Sequence, residues 1–279
     1  MEIRQTDARD VPQLQALWRQ VFDTEGVYTQ LFFQHWYDHC VCIGAFQDGE
    51  LLSALYLLPC QFRVREKTYS MRYVFAVATF PQHRGKGYSS AVVRSAHAYL
   101  RETGVDCAAL VPAEPSLFQF YDALGYETAF YVHTNTFPVR KGPYPAAQKV
   151  SLPDCYALRE QCLQQGDGYL SWDRYALQFC QTDNDFEELG QVLSFPTIGR
   201  GYAACQLLPD AVHIKELVCE ASVKQDYIQA VGNYFGKDRV MVRDFPTDQS
   251  QPFGMLVPLS ERFKREYRPG RYVLSLPMD

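Results

Sequence analysis

The chain has 279 residues, 47% of them apolar, and a formal net charge of −5. That length is generous for one domain and natural for two, with ample apolar content to bury cores. The acidic balance argues against nucleic-acid or anionic-membrane binding, and no apolar run approaches the ~18 residues of a membrane span or forms a leader after Met1-Glu2-Ile3-Arg4-Gln5, so a cytoplasmic protein without a membrane partner is expected.

Residues 2–5 read as a strand and 10–22 as a helix capped by Asp7 or Asp10, with Val11, Leu14, Leu17, Trp18 and Val21 as its apolar stripe. A second helix is predicted over about 28–37. Strands follow at 41–46 and 51–58 around an Asp48-Gly49 turn, then a hairpin partner at 61–64. Cys40 and Cys42 lie just after His35 and His39, which are spaced i, i+4. No second cysteine pair accompanies them and the surroundings read as an amphipathic helix running into a strand, so no metal site is expected. The chain has nine cysteines; Cys60, Cys107, Cys180, Cys205 and Cys219 sit in or beside apolar runs, as reduced core thiols do.

The strand over about 69–79 includes Tyr73-Val74-Phe75-Ala76-Val77-Ala78, uncharged and rich in β-branched and aromatic residues, hence buried. Pro81 ends it. The loop Thr79-Phe80-Pro81-Gln82-His83-Arg84-Gly85-Lys86-Gly87-Tyr88-Ser89 follows. Gly85 and Gly87 allow positive φ, so successive N–H groups can turn toward one point and form an anion nest. Residues 89–103 carry Val92, Val93, Ala96, Tyr99 and Leu100 at helical spacing, which sets that nest on a helix N-terminus, where unpaired donors and the dipole favour negative charge. Arg84 and Lys86 add cationic donors, and the whole suits a diphosphate. Neither a Walker A loop nor a Gly-x-Gly-x-x-Gly fingerprint is present. A short strand at 107–111, a helix over about 115–124 ended by Gly125, and strands near 126–136 complete the first half.

The pattern Gln82-x-Arg84-Gly85-x-Gly87 resembles the coenzyme A signature of the GCN5-related N-acetyltransferase (GNAT) superfamily. Phe120-Tyr121-Asp122-Ala123-Leu124-Gly125-Tyr126 resembles that superfamily's other recognisable segment. The resemblance covers residues 1 to about 140. It implies an α/β (α+β) fold, a mixed central sheet flanked by helices, and an N-acyltransferase that moves an acetyl group from acetyl-CoA to a primary amine of a small molecule or peptide. Val77, Ala78 and Thr79 would then meet the pantetheine arm and polarise the thioester carbonyl. Gln82, Arg84, Gly85, Lys86, Gly87, Tyr88 and Ser89 would hold the pyrophosphate, and Tyr121 would act as general acid. A phenol is also chemically suited to protonate a departing thiolate; the bland alternative is a tyrosine that only packs on the sheet.

Residues 138–153, which include Lys141-Gly142-Pro143-Tyr144-Pro145 and Pro153, read as a linker, with its core at 141–153. Helices are predicted at 154–165 and 172–180 and strands at 191–195, 201–208 and 211–218. A helix at 225–235 ended by Gly236 and a strand at 239–242 follow. This order repeats the first half, so 1–140 is expected to be a GNAT domain and 154–279 a second, degenerate copy. Its strand leads into Cys219-Glu220-Ala221-Ser222, with no paired glycines or arginine and therefore no nest. One active and one inert half resembles the Eis type of acetyltransferase, whose third, sterol-carrier-like domain this chain is too short to include. A homo-oligomer is left open.

Glu114, the Asp279 carboxylate, in line with the resemblance to Eis-type chains, and water are the candidates for the general base. Trp172 and Arg174 either line an acceptor cleft by cation–π contact or pack between domains, and packing is preferred. His83 is expected to be exposed, and His133 and His213, on strand-like runs, to be satisfied core or surface residues and not catalysts. A non-catalytic acyl-CoA-binding regulatory protein is the main alternative. A transferase that uses aminoacyl-tRNA would need a basic groove, against the net charge.

Overall fold

The computed structural model describes residues 1–22, 26–185 and 190–276. The chain forms two compact units. The first comprises Met1–Gln61, Tyr69–Glu127 and Met255–Arg268; the second comprises Phe62–Thr68, Thr128–Gly254 and the chain from Pro269 onward.

In the first unit, β1 (Glu2–Gln5), β2 (Val41–Gln47), β3 (Glu50–Val64), β4 (Lys67–Thr79), β5 (Cys107–Leu110) and β13 (Gln251–Pro258) are neighbours in that order. β1, β2 and β3 are antiparallel, β4 and β5 are parallel, and Met255–Pro258 of β13 runs antiparallel to β5. Asp48 and Gly49 both take positive φ, which gives the predicted tight turn its hand. The separate hairpin partner expected at 61–64 is instead the far end of one long β3. The β2 ladder stops at Val41 opposite Leu57, so on that side Pro59 lies past the last pair and its missing N–H breaks no bond to β2.

Helix α3 (Tyr88–Glu102) covers one face of this sheet: Val92, Val93, Ala96 and Leu100 are wholly buried with Ile43, Ala45, Leu55, Leu57 and Val74. At α1 (Val11–Val21) and α2 (Val27–His35) the core is aromatic. Trp18 stacks on Phe32 at 4.4 Å, and Tyr56 and Phe75 meet Trp18 edge-on at 5.1 and 5.7 Å. Such offset and edge contacts add to the area these rings bury.

In the second unit, β6 (Glu127–Pro138), β12 (Arg239–Asp244), β11 (Val212–Cys219), β10 (Gly201–Leu207), β9 (Gly190–Ser194) and β7 (Gln148–Lys149) are neighbours. β9, β10 and β11 are antiparallel; β11 and β12 are parallel with α7 (Lys224–Tyr234) between them in sequence. One apolar cluster joins Tyr227, Ile228 and Val231 of α7 to Ile214, Val240 and Val242. Helices α5 (Tyr156–Leu163) and α6 (Arg174–Asn184), with the short strand β8 (Tyr169–Ser171) between them in sequence, complete the unit. This repeats the first unit's antiparallel strands, helix crossover and parallel partner.

β13 and α8 (Glu261–Glu266) were not foreseen from the sequence, because Pro252, Gly254 and Pro258 punctuate that stretch like a loop. Ser260 nonetheless caps α8 by accepting the Phe263 N–H at 3.0 Å. Among the described residues no helix is long and apolar enough to cross a membrane.

His97 on α3 is buried, with Nε2 3.1 Å from the Tyr126 hydroxyl. Burial, helped by Arg101 and Arg94, pushes its pKa down to about 4. The folded ring therefore stays neutral where an unfolded histidine, with a pKa near 6.5, takes a proton. Its contribution to stability is complete above about pH 6.5 and is lost as pH falls toward 4. Urea titrations are expected to show about 2 kcal/mol less stability from this site at about pH 5 than at about pH 7.5. His97→Asn should flatten that slope; an unchanged slope refutes the assignment.

Candidate active site

The site begins with an irregularity in β4. Its ladder to β5 is confined to Met71, Arg72 and Tyr73 opposite Cys107, Ala108 and Ala109. Just beyond, Ala76 takes φ +48, a value rare for a residue with a side chain. The β4–β5 ladder therefore ends before this irregularity, and among the described residues the last ones of β4 have no pairing to β5. Ala78 and Thr79 are buried on the last turn of this strand, and Val77 packs against the α3 cluster.

Two short networks tie the strand to the helix it feeds. Ser53 Oγ donates to the Ala78 carbonyl at 2.7 Å, and Thr79 Oγ1 donates to Ser53 Oγ at 2.9 Å. Thr79 Oγ1 is also 2.7 Å from Ser89 Oγ in the first turn of α3. The end of β4 thus sets the position of the helix N-terminus. Ser53 gave no signal in the sequence, since a lone serine in an apolar strand has no characteristic spacing.

The glycine loop exposes a short run of backbone donors. A turn at Pro81–His83 leads to an extended Arg84, then to Gly85 at φ +75 and Gly87 at φ +81. Gly87 is the residue before α3. No acceptor among the described residues takes the N–H groups of Gly85, Lys86 or Gly87. With the unpaired donors of the first helical turn, they form a concave set of positive ends. Gln82, Arg84 and Lys86 are exposed at its rim, and Tyr88 and Ser89 are half-buried behind it. Arg84 Nε donates to the Thr79 carbonyl and Lys86 Nζ to the Gln82 carbonyl, both at 3.3 Å, so both cations lie folded along their own loop. His83 is half-buried, with its ring edge-on to Tyr88 at 6.3 Å.

Tyr121 belongs to α4 (Leu117–Asp122), shorter than the predicted helix. Its ring lies in the same cluster as Val74, Val77, Val92 and Leu110 and meets Phe120 and Tyr126 edge-on at 5.0 and 5.6 Å. It is 7% exposed, and burial pushes its pKa up to about 12. The phenol is therefore protonated at neutral pH, and among the described residues nothing hydrogen-bonds its hydroxyl. A neutral, desolvated, uncommitted O–H can donate a proton.

The remaining candidates separate. Glu114 is exposed and accepts a 3.4 Å bond from Ser116, as a solvated loop carboxylate would. Asp279 lies outside the described residues. Trp172 is wholly buried within the second unit and its Nε1 donates to the Ser275 carbonyl at 3.4 Å, so it lines no open cleft. Arg174 donates to the Pro153 carbonyl and lies over the Tyr156 ring at 5.5 Å. In the second unit the turn Ala221–Val223 enters α7 without any left-handed residue, which leaves that loop no nest.

The sequence model of the acetyltransferase (GNAT) domain matches residues 2–129. No curated protein sequence matches the chain. Among solved structures, a probable N-acyltransferase from Enterococcus faecalis superposes with a TM-score of 0.72 at 18% identity, over 92% of this chain and 72% of that one. A GCN5-related N-acetyltransferase from Anabaena variabilis gives 0.71 at 17% identity, over 93% and 73%. Eis1 from Mycobacterium abscessus gives 0.66 at 16% identity, over 93% and 74%. At those identities the likeness is one of fold, and it extends through both units. Residues 2–129 thus match the acetyltransferase (GNAT) domain model, within a chain whose fold is similar to that of these three solved structures over most of its length.

Proposed function

We propose that the protein is an N-acyltransferase that moves an acetyl group from acetyl-CoA to a primary amine of a small molecule or peptide. The observation that carries this reading is the row of N–H groups at Gly85, Lys86 and Gly87, without acceptors among the described residues, at the head of α3. Gln82, Arg84, Tyr88 and Ser89 complete the hold on a pyrophosphate, and the pantetheine arm runs along the end of β4 that β5 leaves unpaired, at Val77, Ala78 and Thr79. The thioester supplies the acetyl group in activated form. Backbone donors fixed along β4 lower the barrier by meeting negative charge as it develops on the carbonyl oxygen. As the amine nitrogen bonds to the acetyl carbon and the carbon–sulfur bond breaks, Tyr121 passes its proton to the sulfur.

The amine must shed one proton. Glu114 is too solvated to be favoured as the base, so water carries that proton away. The second unit is a degenerate copy that takes no coenzyme A.

Thiol release from acetyl-CoA, followed with a panel of aminoglycoside, polyamine and peptide amines, tests the reading. Amine-dependent release is expected with at least one class. Tight binding of coenzyme A with no release from any of them would favour a non-catalytic acyl-CoA-binding regulator instead.

A further inference from the structure

The second unit's own parallel ladder is also short. β11 and β12 pair only at Val212, His213 and Ile214 opposite Val240, Met241 and Val242. Beyond that point Leu217–Cys219 and residues 243–245 line a cleft of about 200 Å³, closed by Leu163 of α5 and the segment 273–275. An engineered cavity of about 150 Å³ accepts benzene, so there is room here for a small ring with a short arm.

One charge in this cleft stands out. The register of β10 on β11 passes from Ala204 opposite Glu216 to Cys205 opposite Ile214, which leaves Lys215 as the extra residue of a bulge. Ile214 and Leu217 both pack into the cluster around α7, so the two residues between them, Lys215 and Glu216, share the opposite face, toward α5. Glu216 is committed there: it accepts from Arg159 Nε at 3.1 Å, from the Tyr202 hydroxyl at 2.5 Å and from Ser275 Oγ at 2.5 Å. Asp244, across the cleft, is paired with Lys224. Lys215 is 8% exposed, lines the cleft, and has no hydrogen-bond or ion-pair partner among the described residues. A buried ammonium without a counter-charge is costly, and an anion seated beside it removes that cost.

We propose that the second unit holds a binding site of its own for a small organic carboxylate with an apolar body. The carboxylate pairs with the Lys215 ammonium, and Leu163, Val218 and Leu274 surround the body. The residues after β11 exclude a diphosphate: Glu220 is acidic and no residue of the turn is left-handed. The cleft therefore differs in chemistry from the glycine loop of the first unit, and the proposal stands whether or not the acyl transfer proposed above is observed.

Isothermal titration of the full chain with benzoate and 3-phenylpropanoate, and with the neutral amide of the latter, tests it. Saturable binding of at least one carboxylate is expected, with the amide bound at least roughly 10-fold more weakly. Lys215→Met should weaken the carboxylate roughly 10- to 100-fold, and Lys215→Arg should restore most of the affinity. Circular dichroism should report both variants folded, and titration with coenzyme A should be the same for both as for the parent chain. Absence of binding by either carboxylate, equal binding of the amide, or full affinity in Lys215→Met overturns the proposal. If Lys215→Met fails to fold, Val218→Phe, which fills the cleft from β11, must abolish carboxylate binding, or the proposal falls.

Discussion

Tyr121→Phe is expected to lower kcat for thiol release by about 10²- to 10⁴-fold and to leave the Kd for coenzyme A within about twofold of the parent chain. The substitution removes only the hydroxyl. The ring keeps its edge contacts with Phe120 and Tyr126 and its place among Val74, Val92 and Leu110, so neither the fold nor the glycine loop is disturbed. The hydroxyl makes no hydrogen bond among the described residues, so its loss orphans none of them and stability should change little. Because burial holds the phenol pKa at about 12, deprotonation of this acid should impose no alkaline fall in kcat below about pH 11. Purified variant and parent enzyme, compared in steady state with the best amine and by calorimetry with coenzyme A, give both numbers. Full turnover by the variant would make Tyr121 a packing residue.

What could be read from the sequence followed its local periodicity. The helix that became α3 showed its buried stripe through Val92, Val93, Ala96 and Leu100, and the strand before it showed an uncharged β-branched run; both lie where expected. The glycine loop was legible because only glycine takes φ near +80 cheaply, so Gly85 and Gly87 announce a backbone shape as well as a composition. Ala76 announces nothing. Its positive φ is imposed by the surrounding sheet, and an alanine in an apolar strand reads as ordinary filler.

The same limit hid Lys215. In sequence, Val212 to Cys219 looks like a strand with alternating burial and one polar pair, and nothing shows that the alternation slips at the bulge. Once it slips, two neighbouring charges share a face, and only the fold brings Arg159, Tyr202 and Ser275 to one of them and leaves the other bare. The regrouping of Met255–Arg268 with the first unit was likewise invisible, because strand pairing between β13 and β5 joins residues some 150 positions apart, Leu110 and Met255 among them.

Gly87→Val should weaken coenzyme A binding by at least about 100-fold, the equivalent of losing one or two charge-assisted hydrogen bonds. Gly87 sits at φ +81 as the residue before α3, a conformation a β-branched side chain adopts only with strain of about 1–2 kcal/mol. A Cβ there meets no heavy atom within 4 Å, so the fold need not give way around it. The damage is local: relaxing φ toward negative values swings the Gly87 N–H out of the nest, and the new side chain stands where an anion would approach. Gly104→Val separates the two effects. Gly104 has φ +73 and equally open surroundings, but it lies beyond the other end of α3, away from the loop. Both variants should lose similar stability in urea, and only Gly87→Val should lose the calorimetric signal for coenzyme A. Equal retention of that signal in both would mean that the N–H groups of Gly85, Lys86 and Gly87 do not hold the pyrophosphate, and the assignment of the loop would fail with it.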